Sequence, residues 1–262
     1  MISFKRLILS AFIFLGFYLE TGFSEPIKPF IVFSPPKTGT HLIGKCLELM
    51  TGKKACYCLS LNLKNSEVID FIEAVQMTNE FVVAHDFNRE QLDALTAKGY
   101  KIIFMVRDPR DHLVSVLDWF KEGQWNWLPV SRMGNLHEQI TEMITGNLYG
   151  WKSFDNCILN KLKHLEKLTH LQVAIIKFED LIGSKGQGND DLQSQSIQKI
   201  GALINLNVTS FHINLVANKL FGDSPTFRHG QIGRWKEYFT PAHVELFKLH
   251  YGRAVTNMGY KW

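Results

Sequence analysis

No apolar stretch in this sequence is long enough to cross a bilayer repeatedly. There is one apolar run, Leu7 to Leu19, and its 13 residues fall short of the ~20 that a permanent span needs. A polytopic membrane protein is thereby excluded. Glycine and proline, at 19 and 8 in 262 residues, are far too few for a collagen-like or low-complexity chain. The charge excess is only +4, which makes no case for nucleic acid as a partner but allows a local anion site. Hydrophobic residues make up 45% and charged residues 21%, so a disordered chain is excluded as well. Cysteine is limited to Cys46, Cys56, Cys58 and Cys157. Cys56 and Cys58 are too close for the usual zinc spacing and have no second pair downstream. We read the four as structural, with disulfide pairing open, and not as catalytic groups.

The first 24 residues differ in character from the rest of the chain. Lys5 and Arg6 precede the apolar run, and Gly22 and Ser24 suit the −3 and −1 positions of a cleavage site before Glu25. Residues 1–24 therefore read as a secretory signal peptide or a signal anchor, with a buried N-terminal helix as the bland alternative. Asn207-Val208-Thr209 is a glycosylation sequon, meaningful only in a eukaryotic secretory lumen.

From residue 25 to 262 the pattern alternates between strands and helices. Apolar runs at 30–34, 81–84, 101–106 and 172–176 read as buried strands. Helical patterns occupy 40–50, 66–77, 89–98, 111–120, 136–144, 151–168, 192–206 and 210–220. Gly183 to Asp191 reads as a mobile loop, and Gln124 to Gly134 as a Trp-rich one. No linker splits the chain. The expectation is a single α/β domain: a central parallel sheet flanked by helices, with a P-loop-like nucleotide-binding character.

Three segments carry the chemistry. In the first, the strand at Phe30 runs into Pro35-Pro36-Lys37-Thr38-Gly39-Thr40-His41 and opens a helix. A helix N-terminus presents N–H groups and a positive dipole end to an anion. Gly39 would let the backbone come close, Thr38 and Thr40 offer hydroxyls, and Lys37 offers charge. The order is not that of a Walker A loop, and no acidic strand end stands ready for magnesium. An ordinary βα turn remains the alternative. In the second, Arg107 follows the strand Lys101–Val106, where ligands of open α/β sheets bind. Ser115 lies eight residues on, within reach of the same phosphate; an ion pair of Arg107 with Asp108 or Asp111 is the alternative. In the third, Phe227-Arg228-His229-Gly230-Gln231-Ile232-Gly233-Arg234-Trp235-Lys236 would make a flap over a nucleotide, or simply a solvated basic turn.

Taken together and in order, these motifs resemble the sulfotransferases that use 3′-phosphoadenosine 5′-phosphosulfate. The resemblance implies that Lys37, Thr38, Gly39 and Thr40 form the 5′-phosphosulfate loop, with His41 beside it. It implies that Arg107 and Ser115 hold the 3′-phosphate, that Arg228 and Gly230 complete that site, with His229 where the flap usually has a lysine, and that Phe227 is a candidate stacking surface for the adenine. His85, 22 residues before Arg107, falls where the cytosolic branch of the family has its catalytic base, with Lys37 assisting the leaving group. Phe178-Glu179-Asp180-Leu181 resembles a Tyr-Glu-Asp-Leu segment. The sequence departs from the pattern at Leu42, where an aromatic is common near adenine, and at Val83, where a lysine is common. No metal is implied. The acceptor would be a small molecule, a lipid or a glycan, and membrane association would run through residues 1–24. A P-loop kinase-like phosphotransferase and an inactive exported nucleotide-binding protein remain as alternative functions.

Overall fold

Phe30, Ile31, Val32 and Phe33 are buried almost completely, which is the mark of a strand covered on both faces. They form β1 (Phe30–Phe33) at the centre of a five-stranded sheet. The structure is a computed structural model and describes residues 26–58, 65–121, 134–145, 160–165, 168–170, 172–222 and 230–262. The remaining strands are β2 (Lys54–Cys58), β3 (Glu80–Ala84), β4 (Lys101–Val106) and β5 (Val173–Lys177). All pairings are parallel, in the order β2-β3-β1-β4-β5.

Side chains alternate along each strand, so the sheet sorts its residues into two cores. On one face Phe30, Val32, Phe81, Val83, Ile103, Met105 and Ile176 meet α1 (Thr40–Thr51), α8 (Asp190–Ile204) and α9 (Ser210–Leu220). On the other, Ile31, Phe33, Val82, Ile102, Phe104 and Val106 meet α2 (Asn65–Met77), α3 (Arg89–Ala97), α4 (Pro109–Lys121), α5 (Leu136–Thr145) and α11 (Pro241–Asn257). Three short helices complete the order: α6 (Asn160–Leu165), α7 (Phe178–Leu181) and α10 (Trp235–Tyr238).

The helix ends follow their local chemistry. Asn88 and Gln91 form a capping box on α3, and Thr240 and His243 do so on α11, with Pro241 in its first turn. Gly52 ends α1 in the left-handed conformation, as expected of the Thr51-Gly52 stop.

Two expectations are corrected, and the open question of disulfide pairing is answered for three cysteines. Among the described residues there are five strands, not four, because Lys54–Cys58 pairs along its whole length with Glu80–Ala84. Cys46, Cys56 and Cys58 carry free thiols, so no disulfide joins them; Cys157 lies outside the described residues. The segment 183–191 is structured, not irregular throughout. It holds a 3-10 turn, Ser184–Gly186, pinned by Gly188 N–H on Gly183 O at 2.9 Å and by Ser184 N–H on the Asp190 carboxylate at 2.8 Å. Residues 1–24 and the Trp-rich segment at 122–133 lie outside the described residues.

Candidate active site

The register aligns strand ends. Phe33 stands opposite both Ala84 and Phe104, and Val106 opposite Lys177. The residues that follow β1, β3, β4 and β5 therefore gather along one edge of the sheet, the carboxyl edge, where open α/β sheets bind ligands.

After β1 the chain turns through Ser34 to Gly39 and enters α1. Lys37 has φ 67° and Gly39 has φ 111°, both on the positive side. Gly39 needs its lack of a side chain for a reason other than the close anion approach expected of it. A Cβ there would lie 2.7 Å from Met105 Cε and 2.8 Å from Phe178 Cδ2, so the glycine lets the loop sit down on the sheet.

The loop hydroxyls are committed to one another. Thr38 Oγ1 donates to Pro35 O at 2.7 Å. Its single proton being used, it must accept from Ser34 Oγ at 3.1 Å, and Ser34 must in turn accept from Thr40 Oγ1 at 3.0 Å. The hydroxyls of Thr38 and Thr40 thus brace the loop instead of standing as ready donors. What faces outward is backbone: the first-turn N–H groups of α1 have no intrahelical acceptor and carry the positive end of the helix dipole.

His85 follows β3 and is half-buried. Its Nδ1 lies 2.7 Å from the Ser34 carbonyl oxygen, which can only accept. Nδ1 therefore carries the proton, and in the neutral ring Nε2 is left with its lone pair. His41, in the first turn of α1, stacks on Tyr57 with centroids 4.6 Å apart. Its pKa is lowered, first by burial and then by the nearby His85 and Lys37. The Lys37 ammonium lies 5.5 Å from the centre of the Trp119 ring on α4. Beneath the loop, His112 Nε2 donates to Pro36 O at 2.7 Å, and burial drives its pKa down to about 3.

Arg107 does not make the ion pair that was its alternative role. Asp108 is engaged elsewhere: it caps α4 through the Arg110 N–H and binds the Arg110 guanidinium at 2.9 and 2.6 Å. Asp111 accepts the N–H groups of Gly233 at 2.6 Å and Trp235 at 2.9 Å. Arg107 instead lies over Phe178, 4.3 Å from the ring centre, and donates to the carbonyls of Lys37 and Gln231, each at 3.3 Å. It is buried, and its Nε has no hydrogen-bond partner among the described residues. A buried guanidinium held by two long bonds to neutral carbonyls, with an N–H to spare, is poised for an anion.

Lys37, Thr38, Gly39, Thr40, His41, His85 and Arg107 thus share one edge of the sheet. The segment from Gly230 reaches Arg107 through Gln231. Ser115 is half-buried in α4, and its hydroxyl makes no hydrogen bond among the described residues. Phe227, Arg228 and His229 lie outside the described residues. No group of three His, Cys, Asp or Glu side chains that could hold a metal gathers among those described.

Four participants carry no signal of their role in the sequence. Ser34 links loop and histidine through both its carbonyl and its hydroxyl. Asp111 docks the distant Gly233 segment, and a contact over 122 residues leaves no local pattern. Glu179 accepts the Asp108 N–H and the Tyr260 hydroxyl, each at 2.8 Å, and burial lifts its pKa to about 7. His112 is hidden in an amphipathic helix whose His would ordinarily be read as core or surface.

Comparison with known proteins places the chain in a family. The family model described as a sulfotransferase domain matches residues 28–259. The curated Cytosolic sulfotransferase 5 of Arabidopsis thaliana is 23% identical over 228 residues, covering 78% of this chain and 65% of its own length. The chain thus spans somewhat less than two thirds of that relative. Mouse sulfotransferase SULT7A1, solved in complex with PAP, is 20% identical with a TM-score of 0.64, covering 90% of each chain. A retinol dehydratase, solved with androsterone and inactive cofactor PAP, is 15% identical with a TM-score of 0.61, covering 90% of this chain and 84% of its own. At these identities the structural likenesses establish the fold.

Proposed function

Since the chain belongs to the sulfotransferase family, we propose that it transfers a sulfuryl group from 3′-phosphoadenosine 5′-phosphosulfate to a hydroxyl or amine of an acceptor. The observation that carries this reading is the His85–Ser34 bond of 2.7 Å. It ties the histidine to the anion-binding loop and fixes the tautomer whose Nε2 can take a proton. The fit of the donor rests on Arg107, whose buried Nε lacks a partner among the described residues while Lys37 and the N-terminus of α1 stand beside it.

The sulfuryl donor supplies an activated sulfur with a good phosphate leaving group. The chain's own residues do the rest. His85 Nε2, left with its lone pair by the Nδ1–Ser34 bond, accepts the acceptor's proton. Lys37 and the first N–H groups of α1 offset the negative charge that grows on the leaving oxygen. Arg107, with Ser115, Arg228 and Gly230, binds the 3′-phosphate through charge-assisted hydrogen bonds. His41 and Phe227 flank the nucleotide, where Leu42 offers no aromatic face.

The acceptor is a small molecule, a lipid or a glycan. The proposed setting is the secretory pathway or cell envelope, with residues 1–24 as signal peptide or anchor. That setting is supported by the basic, apolar and small-residue order of the segment, and by Asn207, which is exposed between α8 and α9. No helix among the described residues is long and apolar enough to cross a membrane. Intact-mass measurement of protein from its native host tests cleavage after Ser24.

Calorimetry tests the donor. Binding of 3′-phosphoadenosine 5′-phosphate without Mg²⁺, and weaker binding of ATP with Mg²⁺, is expected; the reverse preference would identify a kinase-like phosphotransferase. A screen with a labelled sulfuryl donor across phenols, sterols, lipids and oligosaccharides then identifies the acceptor. Donor binding with no transfer to any of them favours a catalytically silent binding protein.

A further inference from the structure

The segment that reaches Arg107 from the C-terminal side is held mainly by one carboxylate. Asp111 is 2% exposed and sits in the first turn of α4. Both its oxygens are spent on backbone: Oδ2 accepts the Gly233 N–H at 2.6 Å and Oδ1 accepts the Trp235 N–H at 2.9 Å. Gly233 has φ 76° and Gly230 φ 61°, so the chain turns sharply on either side of Gln231 and Ile232. Those turns aim the Gln231 carbonyl at Arg107 Nη2, 3.3 Å away. Ile232 N–H is taken by Gly186 O at 3.2 Å, the Arg234 guanidinium by Asp118 at 2.8 Å, and the Trp235 ring lies 4.2 Å from Arg110.

Arg107, just after β4, and Asp111, in the first turn of α4, are four residues apart, yet they make no hydrogen bond to each other. The geometry points to a division of labour: Asp111 is a positioning residue that docks Gly230–Trp235 beside Arg107, and so builds the pocket for the 3′-phosphate. A carboxylate suits the role because two N–H donors converge on it, and an amide could receive only one of them. Burial raises the pKa of Asp111, while Arg107 and the two backbone N–H groups favour its charge. The same carboxylate thus helps to balance the buried cation that would meet the phosphate. This inference rests on the sulfuryl-donor reading above and assigns that site a residue which never touches the nucleotide.

The test compares two ligands that differ only in the 3′-phosphate: 3′-phosphoadenosine 5′-phosphate and adenosine 5′-phosphate, titrated into the full chain. Wild type should prefer the bisphosphate by more than ~100-fold. Asp111→Asn should cut bisphosphate affinity by about 10–100-fold, the value of a buried charge-assisted hydrogen bond, and leave the monophosphate within about 3-fold. General loosening of the fold would weaken both ligands together, so the ratio is the diagnostic quantity. A wild type without preference overturns the donor reading and this inference with it. A wild type that discriminates, beside an Asp111→Asn variant with the ratio intact, overturns the inference alone. If circular dichroism shows that Asp111→Asn fails to fold, Asp118→Asn is titrated in its place. It releases Arg234 and Tyr238 from the far side of the same segment. Its ratio should fall by about 3–10-fold, and an unchanged ratio again overturns the inference.

Discussion

At the scale of single residues, His85 and Ser34 form a unit that the Ser34 carbonyl makes directional. An imidazole that donates from Nδ1 cannot present a second proton while neutral, so Nε2 is left to act as a base. His85→Ala should lower kcat by about 10²–10⁴-fold, the usual worth of a general base. Affinity for 3′-phosphoadenosine 5′-phosphate should stay within about 2-fold, because no anion contact is lost. Steady-state rates and calorimetry on the same preparation check both halves; a wild-type rate in the variant would sink the assignment. Ser34 acts through its hydroxyl, which accepts from Thr40 and donates to Thr38. Ser34→Ala leaves Thr38 with an unmet acceptor and Thr40 with an unmet donor, at a cost of about 1–3 kcal/mol in a buried setting. Ser34→Thr keeps the hydroxyl, and recovery of the urea midpoint in that variant separates lost hydrogen bonding from lost volume.

At the scale of elements, the loop between β1 and α1 depends on Gly39 for both its backbone and its seat on the sheet. Gly39→Ala places a Cβ at φ 111° against Met105 and Phe178. The expected result is a destabilisation of about 1–3 kcal/mol with weakened nucleotide binding, measured by thermal melts with and without 3′-phosphoadenosine 5′-phosphate. Much of this element is legible in the sequence. A buried strand, Lys37 to Thr40 and a helix start are local patterns, and the strands β1, β3, β4 and β5 announce themselves as apolar runs. The edge strand β2 does not. Lys-Ala-Cys-Tyr-Cys has one neighbour, is partly exposed along its length and shows neither a continuous nor an alternating apolar signal. Its cysteines draw attention to sulfur chemistry, whereas Cys58 merely donates weakly to Val83 O across the ladder. Asp108 misleads for a related reason. Beside Arg107 in sequence it reads as that residue's partner, but a helix start at Pro109 places its carboxylate on the Arg110 N–H instead. Asp111 and Gly233 are illegible because only the closed tertiary structure brings them together.

At the scale of the whole molecule, two buried groups with opposite shifts set the response to acid. His112 is held near 3 against an ordinary 6.5, so the unfolded chain binds the extra proton first, and stability is lost as pH falls from about 6.5 toward 3. Glu179 is held near 7 against an ordinary 4.5, so the folded chain binds the extra proton first. Its burial penalty is absent below 4.5 and grows as pH rises toward 7. Each contributes a slope of up to about 1.4 kcal/mol per pH unit within its own window. From about pH 5 to 6.5 the windows overlap and the slopes oppose, so the wild-type urea midpoint should change little there from these two groups. Below pH 4.5 only the histidine slope persists, and the midpoint should drop. Glu179→Gln keeps an acceptor for the Asp108 N–H while removing the titration, so its midpoint should rise from pH 5 to pH 7. His112→Gln should show the opposite, a midpoint that falls over the same interval. Urea titrations at half-unit steps from pH 4 to 8 on the three proteins decide the matter. Parallel pH profiles for all three would mean that neither buried group governs acid stability, and that the loop above His112 and the Asp108–Tyr260 bridge are insensitive to the charge each one carries.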